Sequence, residues 1–185
     1  MNVLVVYGSA RGGTADIAEA VGHALIARGC AADVHRAESM WPATGYDAVV
    51  VGGALYASRW HRAARRFVQR RASDLRKRPV WFFSSGPLDD SASKAEIPPT
   101  RQVSRLMELV GARGHMTFGG RLLPGTHGLL ARAIATTRNG DWRDMDHVRS
   151  WAAGIADVLH AERPATPSAG HPATGQSAAA RAEAS

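Results

Sequence analysis

The first fifteen residues, Met1-Asn-Val-Leu-Val-Val-Tyr-Gly-Ser-Ala-Arg-Gly-Gly-Thr-Ala15, constrain the fold more than any other stretch. Val3 to Tyr7 reads as a strand apolar on both faces, the pattern of a strand inside a parallel sheet. Gly8, Gly12 and Gly13 follow at once and let the backbone approach a ligand closely. From Thr14 onward Ile17, Val21, Ala24 and Leu25 share one face of a helix. The unpaired N–H groups and positive dipole end of that helix point at whatever anion sits in the turn, and Ser9 and Thr14 add hydroxyl donors.

The turn departs from two better-known phosphate loops. A Walker A loop places Lys before the Ser/Thr, whereas Gly13 is followed directly by Thr14. A dinucleotide loop needs Gly-x-Gly-x-x-Gly and an acidic residue ending the second strand; here the turn is Gly8-Ser-Ala-Arg-Gly12-Gly13 and the second strand ends in His35 and Arg36. The pattern suits one terminal phosphate monoester, as in a mononucleotide. Its bland alternative is a glycine turn that only joins a strand to a helix.

The rest of the chain alternates strand and helix. Strands are expected at Ala31 to Arg36, Tyr46 to Gly52, Pro79 to Ser84 and Gly114 to Leu122, with Pro79 in the first position of its strand, where it is tolerated. Helices are expected at Arg62 to Arg71, with Ala63, Ala64, Phe67 and Val68 inward, and at Thr100 to Gly111, with Val103, Leu106, Met107 and Val110 inward. A closing helix is striped by Met145, Val148, Ala152, Ile155 and Leu159. This rhythm predicts a doubly wound α/β domain, a five-stranded parallel sheet covered on both faces. The domain is expected over residues 1–162. From 163 to 185 the sequence has no aromatic residue, Leu, Ile or Val, and its Ala/Pro/Ser-rich composition predicts a disordered tail.

Ligands of such sheets sit beyond the carboxyl ends of the strands. Three segments are expected at that edge: the glycine turn, then Gly53-Ala-Leu-Tyr-Ala-Ser-Arg-Trp60-His61, then Ser84-Ser-Gly-Pro-Leu-Asp-Asp90. Tyr56 and Trp60 offer aromatic surface for a flat ring, and the third segment offers backbone groups for the ring's polar edge. With one phosphate site these make a flavin mononucleotide (FMN) pocket. Each segment alone has a plainer reading: Trp60 as a staple into its helix, the Ser-Ser-Gly run as a turn.

The chain carries a formal net charge of +7, and Arg59 to Arg78 holds nine Arg or Lys against Asp74. Such a surface favours acidic groups: substrate carboxylates, lipid headgroups or an acidic protein. Nucleic acid is disfavoured, since no aromatic interleaving or recognition helix accompanies the charge. The one cysteine, Cys30, precludes an intramolecular disulfide and fits a reducing, cytoplasmic setting. The eight histidines show no ligand spacing, so no metal site is expected. The sequence shows no cleavable leader and no run long enough to span a membrane, so a protein neither secreted by that route nor integral to a membrane is expected.

The run Val-Val-Tyr-Gly-Ser-Ala-Arg-Gly-Gly-Thr-Ala-Asp-Ile-Ala, the run Tyr46-Asp-Ala-Val-Val-Val-Gly-Gly-Ala-Leu-Tyr, His61 followed by Phe67-Val68, and Asp141-Trp142 before an amphipathic helix resemble the flavodoxin-like superfamily. Within it, they are most similar to the menaquinone-dependent protoporphyrinogen oxidase (protoporphyrinogen IX dehydrogenase) family. The resemblance covers residues 1 to 160 and implies the strand order 2-1-3-4-5, FMN as cofactor and a role in heme biosynthesis. It implies that Ser9, Ala10, Arg11, Gly12, Gly13 and Thr14 hold the phosphate. Ala54, Leu55, Tyr56, Ala57, Arg59 and Trp60 would then lie along the isoalloxazine, with Ser84, Ser85, Gly86, Leu88 and Asp89 at its other edge. His61 is a candidate proton donor. A porphyrinogen or quinone substrate, or a redox partner protein, is implied. A flavodoxin-type electron carrier and a flavodoxin-fold binding module without FMN are the alternatives. The span from Leu122 to Asp141 looks shorter than the insertion some members carry after the fifth strand. In it Leu129, Leu130, Ala133 and Ile134 form an apolar face beside Arg132 and Arg138, readable either as a surface helical turn or as a peripheral contact at the inner face of a membrane.

Overall fold

The computed structural model describes residues 1–10, 12–122 and 140–162. The expected tail, Arg11 and the apolar face at Leu129 to Ile134 lie outside the described residues. The strands are β1 (Asn2–Gly8), β2 (Ala31–Arg36), β3 (Ala48–Tyr56), β4 (Arg59–Trp60), β5 (Val80–Ser85), β6 (Gly114–Phe118), β7 (Arg121–Leu122) and β8 (Gly140–Asp141). The helices are α1 (Gly13–Ala27), α2 (Arg62–Arg70), α3 (Ala72–Leu75), α4 (Ser91–Lys94), α5 (Arg101–Val110) and α6 (Met145–Ala161).

Five parallel strands form the main sheet in the order β2-β1-β3-β5-β6. Strand alternation divides its side chains between two cores. Val3, Val5, Ala48, Val50, Trp81 and Phe83 face α1 and α6, where Ile17, Val21, Leu25, Val148, Ala152, Ile155 and Leu159 meet them. Leu4, Val6, Val49, Val51, Val80 and Phe82 face α2, α3 and α5, against Ala64, Phe67, Val68, Leu75, Val103, Leu106 and Val110. The apolar stripes expected on the helices are therefore the buried faces. Asp144 caps α6 by accepting from the Asp146 and His147 amides, and Arg28–Asp157 and Arg113–Glu162 pairs tie α6 to the far end of the sheet. Cys30 is buried beside α6, and desolvation raises its thiol pKa, which disfavours the nucleophilic thiolate.

The first and fourth expected strands shift by one residue at each end, Pro79 standing just before its strand, and two others differ by more. The third begins at Ala48 rather than Tyr46, because the Asp47 carboxylate accepts from the Asn2 amide and the Tyr46 hydroxyl donates to Asp33, both outside the strand ladder. It then runs through Gly52-Gly53 to Tyr56 and turns back into β4, with Leu55 opposite Trp60 and Tyr56 opposite Arg59. The strand expected from Gly114 to Leu122 stops at Phe118. Gly119 and Gly120 leave the sheet there: Gly120 donates to the Pro87 carbonyl and accepts from the Trp142 amide. Arg121 and Leu122 pair instead with Asp141 and Gly140 in a separate antiparallel ribbon. Near-contact of Gly119 with the Trp142 backbone fixes the break, since any side chain at Gly119 would collide with it.

Candidate functional site

The order of the sheet reverses between β1 and β3, and the loops after β1, β3 and β5 open at that edge. In the first loop Ser9 and Thr14 are buried and Ala10 is exposed. Gly12 occupies the left-handed region at φ 81° and stands where a helix is usually capped. It carries no side-chain oxygen, so the first-turn amides of α1 receive no side-chain acceptor from that position. The Gly12 carbonyl accepts from the Ala15 and Asp16 amides and closes the turn. An anion at this N-terminus would meet the free ends of backbone donors and the Thr14 hydroxyl, the chemistry of a phosphate monoester site.

Tertiary structure adds residues to this loop that lie far away in sequence. Asp16, in the first turn of α1, accepts from Arg121 at 2.8 Å and Arg143 at 2.7 Å. Arg143 also pairs with Asp141 and approaches the Gly13 carbonyl at 3.4 Å. The hydrogen bond from Arg143 holds the Asp141 carboxyl below its usual range. Hydrogen bonding to Asp141 and then to Asp16 in turn pushes the Arg143 pKa up, leaving that side chain charged although it is only 7% exposed. The β7 backbone packs on Gly13, with Arg121 N 3.6 Å from where a Cβ would stand. Arg121 Nε is buried without a hydrogen-bond partner among the described residues. Arg36 reaches the Ser9 carbonyl from the other side. Three guanidinium groups thus reach the loop or its helix, two of them clamped by Asp16. Nothing in the local sequence ties Arg121 or Arg143 to this loop, since Asp16 lies more than a hundred residues from both.

The second loop is a tight hairpin. Ala57 and Ser58 both have positive φ, 47° and 60°, as a two-residue turn that follows the strand twist requires. Neither is Gly, Asn or Asp, so the turn stores backbone strain at the mouth of the site. Tyr56 is half-buried, and its ring lies edge-on to His61 at 6.3 Å. His61 Nδ1 is buried without a hydrogen-bond partner among the described residues and sits against Gly8, between the end of β1 and the hairpin. Trp60 is turned away from the edge. It is 2% exposed, packs on Phe82 at 4.9 Å, and donates from Nε1 to Ser84 Oγ at 2.8 Å. Gly53 makes room for it, since a Cβ there would lie 2.6 Å from the indole. The face of Trp60 that the sequence offers to a ring is committed to the core.

The third loop divides in the same way. Ser84 points inward and meets both Trp60 and His115 Nε2, the latter at 2.8 Å. Burial pushes the His115 pKa down to about 4. Ser85 is buried, and Gly86 spends its amide on the Phe118 carbonyl. Leu55 of the hairpin lies against Gly86, so the second and third loops touch, and Leu88 reaches Gly120. Asp89 accepts from the Ser91 amide at the start of α4. The structure therefore gathers Ser9, Gly12, Gly13 and Thr14 at one end of the edge, and Ala54, Leu55, Tyr56, Gly86, Leu88 and Asp89 at the other. Ala57 and Arg59 lie on the outer side of the hairpin. Among the described residues no three His, Cys, Asp or Glu side chains converge as a metal site, and no helix is long and apolar enough to cross a membrane.

A doubly wound sheet with a phosphate-type loop at the reversal of strand order defines a nucleotide-binding α/β protein of flavodoxin type. Residues 4–137 match the flavodoxin domain family, and the chain belongs to that family. A flavodoxin from the domain Archaea superposes with a TM-score of 0.61 at 15% identity, over 86% of this chain and 99% of that one. The flavodoxin WrbA-like protein from Agrobacterium tumefaciens gives 0.56 at 16% identity, over 88% and 99%. The rubredoxin oxygen:oxidoreductase of Desulfovibrio gigas gives 0.60 at 12% identity; the match covers 86% of this chain but only 36% of that larger protein. No curated protein matches the sequence.

Proposed function

We propose that the protein binds FMN and acts as an oxidoreductase on a protoporphyrinogen-type substrate with a quinone as acceptor. The observation that carries the cofactor is the pairing of an uncapped α1 N-terminus, with Arg36, Arg121 and Arg143 bonded to its loop or first turn, with a hairpin and a third loop at the same sheet edge. Ser9, Thr14 and the Gly12 to Thr14 amides would hold the phosphate, with Arg11 as a further expected contact. Ala54, Leu55, Tyr56, Gly86, Leu88 and Asp89 would border the ring, and Ala57, Arg59, Trp60, Ser84 and Ser85 would shape the loops that carry them. The bound flavin supplies the hydride or electron chemistry. The chain's part is placement and charge: His61, edge-on to Tyr56 and with Nδ1 lacking a hydrogen-bond partner among the described residues, would hold or donate a proton.

The substrate class follows from the sequence resemblance and is supported by the basic surface of α2, where Arg62, Arg65 and Arg66 make no ion pair among the described residues. Protein loaded with FMN should oxidise protoporphyrinogen with a quinone, at a rate that falls with salt. Reversing Arg62, Arg65 and Arg66 to Glu should raise KM more than it lowers kcat. The near-complete superposition on a whole flavodoxin favours a second reading, an electron carrier. Absence of turnover with porphyrinogen and quinone, together with ready exchange with a flavodoxin reductase, would select the carrier. Contact with a membrane surface belongs to the first reading only.

A further inference from the structure

A cavity of about 730 Å³ opens on the outer side of the β3–β4 hairpin, between α2 and α5. Arg59, Arg65, Arg101 and Arg105 line it, with Thr100 and Gln102 at the start of α5, and no acidic residue contributes to its wall. Among the described residues none of these four guanidinium groups has an ion-pair or hydrogen-bond partner. Neighbouring arginines are used differently: Arg71 donates to the Met40 carbonyl and Arg76 to the Leu109 carbonyl, tying loops to the core. Two of the lining residues also carry a buried polar atom, Arg65 Nε and Thr100 Oγ1, with no hydrogen-bond partner among the described residues. Buried polar atoms normally find partners, and an unpaired one is costly to leave.

Four unpaired like charges around one concavity repel each other, and a polyanion relieves this more completely than a single carboxylate. The volume is that of a small-molecule site. The helix behind it presents its N-terminus with no acidic residue in the first turn and no side-chain cap. We infer that this cleft is a second anion site, separate from the phosphate loop, for a small molecule carrying a pyrophosphate group. The four guanidinium groups would grip the phosphate oxygens, with the Thr100 hydroxyl and Arg65 Nε donating into the same group. The remaining volume would take the rest of the ligand. The inference does not depend on the identity of the redox substrate.

Calorimetric titration of the FMN-saturated protein with inorganic pyrophosphate tests it, with citrate and sulfate at matched ionic strength as comparisons. Pyrophosphate should bind with a stoichiometry of one and at least tenfold more tightly than either. The double variant Arg65→Ala, Arg105→Ala should weaken pyrophosphate at least tenfold while leaving FMN fluorescence quenching intact, which reports the fold and the first site. Arg62→Ala, Arg66→Ala, on the exposed side of α2, should leave pyrophosphate binding unchanged. Equal binding of citrate, no binding above sulfate, or equal losses in the two double variants would overturn the proposal. Should FMN not bind, the proposed function fails, while the comparison of the two double variants still decides the cleft.

Discussion

Two arginine-rich regions flank the same sheet edge, and they are held in opposite ways. At the phosphate loop Arg121 and Arg143 are locked by Asp16 and Asp141, and Arg143 is almost wholly buried. At the hairpin cleft Arg59, Arg65, Arg101 and Arg105 form no ion pair among the described residues, and the lining residue Gln102 accepts from the amide of Trp60, whose indole is bonded in turn to Ser84 and through it to His115. The residue type is the same, but its role differs. A guanidinium that already has carboxylate partners shapes a site, whereas one without them is available to a ligand. Charge counted along the sequence cannot separate the two cases, because the separation depends on which acids fold to within about 3 Å of each arginine.

The largest expected effect lies at the loop itself. Gly12→Asp puts a side chain into a left-handed position and a negative charge beside the phosphate, and should lower FMN affinity at least a hundredfold by fluorescence titration. Riboflavin, which lacks the phosphate, should bind the variant as it binds the parent. If the parent binds both flavins equally, the phosphate loop is not one.

Next in size is the clamp. Arg143→Ala leaves Asp141 without its main partner and Asp16 with Arg121 alone, and should cost about 2 kcal/mol in urea unfolding, the scale of lost hydrogen bonds to a charged group. Arg101→Ala in the cleft should cost less than about 0.5 kcal/mol, as an exposed, unpaired side chain does. Equal losses would remove the distinction between the regions.

Acid should separate them further. The folded state keeps His115 neutral to about pH 4, while the unfolded chain takes up a proton near 6.5. The stability that rests on neutral His115 is thus fully present above 6.5 and is lost as the pH falls toward 4. Asp141, whose carboxyl is depressed, gives stability that is lost only below about 4. The melting temperature should therefore drop between pH 6.5 and 4, and His115→Gln should flatten that part of the profile. A parent profile that is flat over the range would contradict the buried, neutral imidazole.

The smallest effect is expected from the C-terminal segment. Its composition offers no large apolar side chain to bury, so deleting residues 163–185 should leave melting temperature and FMN affinity unchanged. A loss of several degrees would show that the segment stabilises one of the two regions.

Much of the architecture is legible in the sequence because it depends on local periodicity. Strand β1 reads as apolar on both faces, and Val3 to Val6 are fully buried. The stripe in α6 predicts Val148, Ala152, Ile155 and Leu159 inward, and they are. A glycine turn between a strand and a helix places an anion-type loop at the sheet edge whatever the rest of the chain does, because an α-helix leaves its first amides unpaired. The inward turn of Trp60 is different in kind. It depends on Gly53 having no side chain and on Ser84 and His115 arriving from β5 and β6. The break after Phe118 likewise depends on Trp142, and the clamp on Asp16 needs arginines from β7 and from the residue run before α6. By itself, then, the sequence determined the alternation of elements, the buried faces and the loop chemistry, all set by neighbours within a turn or a strand. Only the tertiary structure decided which aromatic faces the core and which arginines are neutralised, because both depend on partners brought together from distant parts of the chain.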